Sequence, residues 1–503
     1  MNNLSEVVNT ARKAFNREVT KPLDFRVKQL KAFHQLLEEN GSELVSALQK
    51  DLKKPYPEAL LAEVESTKNQ IKGALFDVHK WVQPETTETN IILLFDKTYI
   101  FPQPYGVVLI IGAWNYPFLL VAVPLLGAIA AGNCVIIKPS EKAPATAKAL
   151  SSLIPQYLDK DCFHVVTGGV PETTALLNER FDYIFYTGSP AVGKKIREAS
   201  NKYLTPCTLE LGGKCPVYID DEVDIELAAK RIIWGKMLNL GQTCVAPDYI
   251  LCSKKTEERF IELAKKVLLE FFGAEPENSP DLSRIVNEEH FERIIKFLNC
   301  GKIAVGGDYD PKEKYIAPTI LTDIKESDSV MQEEIFGPVL PILRATTPDE
   351  AIKFINKREK PLTLYLFSSN KNVLDQFLMS TSSGSMCVND TVVHLSVDSL
   401  PFGGVGMSGM GTYHGKYSFD TFSHKRSVLV RSLNAIGEYL GKARYPPYSN
   451  AKTRLLKKFL VKRPNLIPPY LSELLIFVFG MLTALTVKEI FAIVPNETLP
   501  RPL

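Results

Sequence analysis

Apolar residues recur at helical spacing across 22–50, and most of the first 80 positions read as helix, with Pro55-Tyr56-Pro57 as a break. The pattern then changes. Between 107 and 211, short apolar runs of strand type at 107–113, 134–137, 163–166, 183–186 and 206–211 alternate with helical stretches at 117–131, 145–158, 171–178 and 191–199. Strands that are apolar on both faces, each followed by a helix, predict a parallel sheet covered on both sides. Such sheets bind nucleotides at the carboxyl ends of their strands. A second alternating series follows, with helices over 225–238, 256–272, 291–300 and 349–357 and strands over 248–252, 364–367 and 384–388. The Gly-rich segment 401–409 reads as a loop with close backbone approaches. The expected fold class is α/β, with two α/β domains.

Bulk composition changes this picture in three places. At 503 residues the chain is too long for one core. Its charge is uneven: residues 441–463 carry eight basic side chains and no acidic one, leaving 51 basic against 57 acidic residues elsewhere. That asymmetry predicts a separate task for the tail. Eight cysteines are scattered without a C-x-x-C pair, so no zinc ribbon or other metal site is expected. The first residues hold no apolar signal core, which predicts a chain that is not secreted, with reduced thiols. The net charge is only +2, and the basic run adjoins an apolar segment rather than interleaved aromatics, so no nucleic-acid partner is expected.

Two phrases carry chemistry. Residues 239–246 read Asn-Leu-Gly-Gln-Thr-Cys-Val-Ala, and 209–214 read Leu-Glu-Leu-Gly-Gly-Lys. A cysteine on a short Gly-containing turn can present a thiolate, which makes Cys244 the candidate nucleophile. A glutamate at a strand end, flanked by Leu209 and Leu211, can activate a water, which makes Glu210 the candidate base. A thioester made and then hydrolysed is the chemistry of aldehyde oxidation. Gly188-Ser189-Pro190-Ala191-Val192-Gly193 opens the helix expected at 191–199, and a helix amino terminus there favours a pyrophosphate.

Both phrases, in this order and spacing, resemble the aldehyde dehydrogenase superfamily. The resemblance runs from about residue 5 to 435. Met386-Cys387-Val388-Asn389-Asp390, the Gly-rich loop, and Tyr413-His414-Gly415-Lys416 are similar to the class 3, fatty aldehyde dehydrogenase branch in particular. It implies that the Asn115 amide, in Trp114-Asn115-Tyr116-Pro117, and the Cys244 main-chain N–H hold the substrate oxygen. Gly188, Ser189 and Gly193 then belong to a modified Rossmann turn. Lys138 and Glu141, in Lys138-Pro139-Ser140-Glu141, hold the adenosine ribose, and a carboxylate at 141 favours NAD without excluding NADP. Glu334 reaches the nicotinamide ribose, and Phe336 packs near the nicotinamide. The histidines 394, 414 and 424 are not required by this chemistry and are expected in packing or loop hydrogen bonds.

The same resemblance implies a cofactor domain over 1–83 and 106–211 and a catalytic domain over 212–400. A bridging and dimer-contact β region takes 84–105 and 401–440, and a basic, hydrophobic tail takes 441–503. A homodimer is implied as well. In the tail, residues 474–487 are fourteen without a charge, shorter than the roughly 20 a spanning helix needs, so an interfacial segment competes with a transmembrane helix. Eight cations just before it suit an anionic cytoplasmic leaflet. The expectation is an NAD-dependent enzyme for medium- and long-chain aliphatic aldehydes. It would be held by its tail at a membrane, that of the endoplasmic reticulum, with its catalytic domains in the cytosol. Two alternatives stand beside it. One is a cytosolic enzyme for aromatic or short-chain aldehydes whose tail is an intramolecular lid, and the other is a catalytically silent NAD-binding or structural protein.

Overall fold

The computed structural model describes residues 4–87, 93, 96–433, 438, 441–460, 474, 476–481 and 483–484. The chain divides into two units, Met1–Gln83 with Phe101–Arg426, and Pro84–Ile100 with Ser427–Leu503.

The first unit contains two large sheets and a two-stranded one, Tyr309–Asp310 with Tyr315–Ile316. The six-stranded one runs in the order Gly409–Met410, Cys207–Leu211, Tyr183–Gly188, Val107–Ile111, Cys134–Lys138, Phe163–Val165. Its first pair is antiparallel and the others are parallel. Val107–Ile111 and Cys134–Lys138 are buried at every position, which is why they read as unbroken apolar runs. The helices Leu119–Ala131, Pro144–Tyr157, Val170–Asn178 and Pro190–Ser200 are the connections that parallel strands require.

The seven-stranded sheet runs in the order Lys302–Val305, Thr319–Thr322, Val339–Arg344, Tyr249–Cys252, Pro216–Ile219, Thr363–Phe367, Ser385–Val388. Its only antiparallel pair is the first. Most expected helices are present within one to three residues of their predicted ends. The helix expected over 291–300 is shorter, forming Glu288–Ile295 and then a 3₁₀ turn, Lys296–Asn299.

Two features depart from the pattern reading. The amino-terminal helices Leu23–Leu52 and Ser66–Trp81 are joined through Tyr56–Ala59 and a π-helical segment, Leu60–Glu65. The Gly-rich segment is not wholly irregular. After a 3₁₀ turn at Gly406–Ser408 it adds the strand Gly409–Met410 to the edge of the six-stranded sheet. Gly409 has a φ of 147°, a conformation that the hydrophobic pattern of the sequence does not reveal.

In the second unit, Asp96 accepts from the Ser432 N–H at 2.8 Å and lies 3.3 Å from the Arg431 guanidinium. Part of the basic run forms the helix Asn450–Leu460. Most of residues 461–503 lies outside the described residues, and the question of a span falls largely on them. Among the described residues, no helix is long and apolar enough to cross a membrane.

Candidate active site

Cys244 lies in a tight turn closed by the Ala246 N–H donating to the Thr243 carbonyl at 2.9 Å. The approach to that turn is strained. Asn239, Leu240 and Gly241 follow one another with φ of 51°, 54° and 75°, and a Leu in that region is costly. Buried side chains hold the turn in place. The Gln242 amide donates to the Arg284 carbonyl at 2.9 Å and accepts from the Val286 N–H at 3.0 Å. From beneath, the Tyr365 hydroxyl donates to the Val245 carbonyl at 2.5 Å.

Asn115 follows the buried strand Val107–Ile111, at the carboxyl end of the six-stranded sheet. Its Nδ2 donates to the Gln242 carbonyl at 3.1 Å. An Asn amide has two N–H groups, so one orients the side chain and the other remains for a ligand. Tyr116, next in the chain, bonds through its hydroxyl to the Thr243 hydroxyl at 2.9 Å. The oxyanion candidate and the thiol turn are therefore tied directly together.

Glu210 lies on Cys207–Leu211, between Thr187 and Gly409 in the neighbouring strands. It is only 3% exposed, and neither carboxyl oxygen has a hydrogen-bond partner among the described residues. Burial holds its pKa well above the usual carboxylate range. Cys244 is pushed up to about 12, first by burial and then by the charges of Glu334 and Glu210. Glu334 is raised to about 8, by burial first and then by Asp248. The protein alone therefore keeps Cys244 as a thiol at neutral pH.

One cleft of about 760 Å³ brings together Asn115, Gly188, Ser189, Glu210, Cys244, Glu334 and Phe336. Ser189 caps the helix Pro190–Ser200, accepting from the Val192 N–H at 3.4 Å, and points that amino terminus at the cleft. Gly212 admits the Glu334 carboxylate, since a Cβ there would fall 2.0 Å from Oε2. Phe336 is held at φ 51° and meets the Trp114 ring edge-on at 5.3 Å. Its neighbours are pinned from outside. Arg293 donates to the carbonyls of Glu334 and Ile335 at 3.1 and 2.7 Å, and Asp248, paired with Lys214 at 2.5 Å, accepts from the Ile335 N–H at 3.0 Å.

Lys138, Glu141 and Gly193 do not line the cleft. Lys138 and Glu141 pair with each other at 3.1 Å. At Gly193, a Cβ would fall 2.7 Å from a Leu211 methyl, so the glycine allows the helix to seat on its strand. His394 and His414 are both lowered to about 4, chiefly by burial, and so are uncharged at neutral pH. His414 stacks on Phe402 at 5.3 Å, and His394 lies 3.2 Å from the Ser385 hydroxyl, which is packing and loop bonding rather than proton transfer. Sequence reasoning gave no role to Gln242, Arg293 or Asp248. Gln242 lies inside the quoted motif, where its type, an amide able to bridge two backbone segments, was the available signal.

A parallel sheet whose carboxyl ends open onto a cleft lined by the Cys244 thiol and the unpartnered Glu210 carboxylate fits an oxidoreductase. The chain belongs to the aldehyde dehydrogenase family, whose model matches residues 2–428. It is 50% identical over 481 residues to aldehyde dehydrogenase family 3 member A2 of Pongo abelii, covering 96% of this chain and 98% of that protein. It is 52% identical over 447 residues to the dimeric NADP-preferring aldehyde dehydrogenase of Mus musculus, covering 89% and 98%. Among solved structures it is similar to the substrate-bound state of Staphylococcus aureus AldH. The TM-score there is 0.88 and the identity 43%, with 91% of this chain and all of that one covered. The NAD+ complex of a Bacillus cereus aldehyde dehydrogenase has a TM-score of 0.78 at 26% identity, covering 85% and 88%. The protein is an aldehyde dehydrogenase.

Proposed function

We propose that this enzyme oxidises medium- and long-chain aliphatic aldehydes with NAD, using Cys244 as nucleophile, Asn115 as oxyanion donor and Glu210 as the base for hydrolysis. The observation that carries the reading is the meeting of Asn115, Cys244 and Glu210 in one cleft beside the Gly188–Ser189 helix terminus.

Sγ of Cys244 adds to the aldehyde carbon, the carbonyl π pair passes to oxygen, and the thiol proton is given up to solvent water. The oxygen, now negative, takes the free Asn115 N–H and the Cys244 main-chain N–H; one such donor is worth on the order of a hundred- to a thousandfold in rate. Bound NAD, held by Ser189, Glu334 and Phe336, would supply the hydride acceptor for this carbon. The thioester that remains on Cys244 is opened by water. Glu210, whose raised pKa makes it a strong base once ionised, takes the water proton, and the carboxylic acid leaves with the thiol restored.

The residues present fit a dinucleotide. Ser189 and the helix terminus suit its pyrophosphate, and Glu334 and Phe336 suit its nicotinamide end. The Lys138–Glu141 pair favours a second reading for the cofactor, because a carboxylate already engaged by a lysine repels a 2′-phosphate less. The NADP preference named for the Mus musculus relative agrees with such tolerance. That relative's description as dimeric likewise supports a homodimer.

The tail supports the aliphatic substrate. Ile476, Phe477, Phe479 and Met481 are exposed apolar side chains that follow the basic run. Such a segment suits the interface of an anionic membrane, the cytosolic face of the endoplasmic reticulum in our reading, where long-chain aldehydes partition. The test is NADH formation from hexadecanal by the full chain in detergent micelles, beside Cys244→Ser and a chain ending at residue 440. Activity lost in the first variant and weakened selectively on hexadecanal in the second supports the proposal. Equal hexadecanal turnover without the tail removes the membrane role, and activity confined to benzaldehyde removes the fatty substrate.

A further inference from the structure

Lys54 is a buried cation outside the reacting groups. The helix Leu23–Leu52 ends at Lys53, whose φ is 48°, and Pro55 starts the next turn, so Lys54 points inward and is 1% exposed. Its Nζ donates to Glu63 Oε1 at 2.6 Å and to the Asn115 carbonyl at 3.0 Å, and lies 4.0 Å from the centre of the Tyr116 ring. The other Glu63 oxygen accepts from the N–H groups of Phe118 and Leu119, at 3.0 and 3.1 Å, where the helix Leu119–Ala131 begins. One ion pair thus clamps the turn from Asn115 to Leu119 through its carbonyl, ring and amide groups.

The clamp continues to the thiol turn. Asn239 Nδ2 donates to the Asn115 carbonyl at 2.9 Å and to the Gln242 carbonyl at 3.1 Å, while its own N–H is held by Glu58 at 2.9 Å. Glu58 and Glu63 are five positions apart, and the π-helical turn between them brings both towards Lys54. A buried ion pair contributes little net stability, and apolar replacements often match it. What it does supply here is a fixed orientation for the Asn115 peptide.

We propose that Lys54, buried against Glu63, is a positioning residue for aldehyde addition: it sets the Asn115 peptide so that the second amide N–H faces the oxygen of the carbon attacked by Cys244. This rests on the reading of Asn115 as oxyanion donor, and the test separates the two. The full chain is assayed with NAD and hexanal as wild type, Lys54→Met, Lys54→Met with Glu63→Gln, Asn115→Ala, and Asn115→Ala combined with each. The double substitution at 54 and 63 leaves no orphan charge, so it serves if Lys54→Met alone fails to fold. Equilibrium NAD binding is followed by fluorescence.

The expected result is a loss of about tenfold to a hundredfold in kcat/KM on loss of the Lys54 clamp, with NAD affinity unchanged. In the Asn115→Ala background the same change should cost little, because the group being positioned is gone. An unchanged kcat/KM overturns the proposal, as does the same factor lost with or without Asn115. Full activity in Asn115→Ala removes the oxyanion reading itself, and the role of Lys54 with it.

Discussion

Gly409 stands opposite Glu210 in an antiparallel pair, with a φ of 147° and with space for a Cβ only 2.2 Å from the Leu209 carbonyl oxygen. The edge strand paired to Glu210 therefore depends on a glycine. Gly409→Ala should lower stability by about 1–3 kcal/mol and reduce kcat by displacing Glu210. Gly73→Ala, in the helix Ser66–Trp81 with nothing near its Cβ, should instead stabilise by about 0.5–1 kcal/mol. Thermal unfolding and steady-state rates of both variants check the contrast. A Gly409→Ala enzyme as stable and fast as wild type would show that the strand does not hold Glu210.

Glu210 is a buried carboxyl without a hydrogen-bond partner among the described residues, and ionising it costs stability. Its folded pKa lies above its unfolded value, so its contribution is fully present below the unfolded pKa of about 4.5 and is lost as pH rises through the folded value. Glu210→Gln should therefore gain in stability relative to wild type as pH rises from 5.5 to 9, by at most about 1.4 kcal/mol per pH unit, seen as a widening difference in Tm. The same variant should keep a single-turnover burst of NADH while steady-state turnover falls by about a hundred- to ten-thousandfold. A Tm difference that is flat with pH, or loss of the burst along with turnover, would contradict the assignment.

The parallel part of the six-stranded sheet was readable because strands such as Val107–Ile111 and Cys134–Lys138 are buried on both faces and leave continuous apolar runs, whereas the edge strand Gly409–Met410 was read as a loop. The second sheet was read less completely. Val339–Arg344 contains Pro341, which argues against a strand in any local reading; the register with Thr319–Thr322 and Tyr249–Cys252 accommodates it. Cys244 and Glu210 were singled out by their types and neighbours and Asn115 by the family resemblance, and one cleft brings the three together. Lys54 was not, because nothing local marks a lysine whose partner carbonyl lies 61 positions away.

The resting thiol gives a third test. With Cys244 pushed up to about 12, alkylation of the free enzyme by iodoacetamide should accelerate through pH 9 without a plateau. Glu334→Gln removes the more influential negative charge and should move the profile to lower pH, more than Glu210→Gln does, following the order of their influence on the thiol. Stopped alkylation assays with peptide mapping of Cys244 measure this directly. A plateau near pH 7 in the free enzyme would mean that the thiolate is already formed and that the carboxylates do not oppose it.

Cofactor choice is the last test, and it turns on the Lys138–Glu141 pair. The Lys138 ammonium donates to Glu141 at 3.1 Å and to the Pro139 carbonyl at 2.8 Å, so the second bond keeps it in place if the carboxylate is removed. A carboxylate at 141 accepts from a ribose 2′-OH and repels a 2′-phosphate, whereas a freed lysine attracts that phosphate. Glu141→Thr should then raise the ratio of kcat/KM for NADP to that for NAD by on the order of tenfold, a shift of about 1.4 kcal/mol. Most of the change should appear in KM, since the adenosine end is remote from the reacting atoms and binds equally in ground and transition states. An unchanged ratio would place the ribose away from Glu141 and leave Lys138 without a part in cofactor selection.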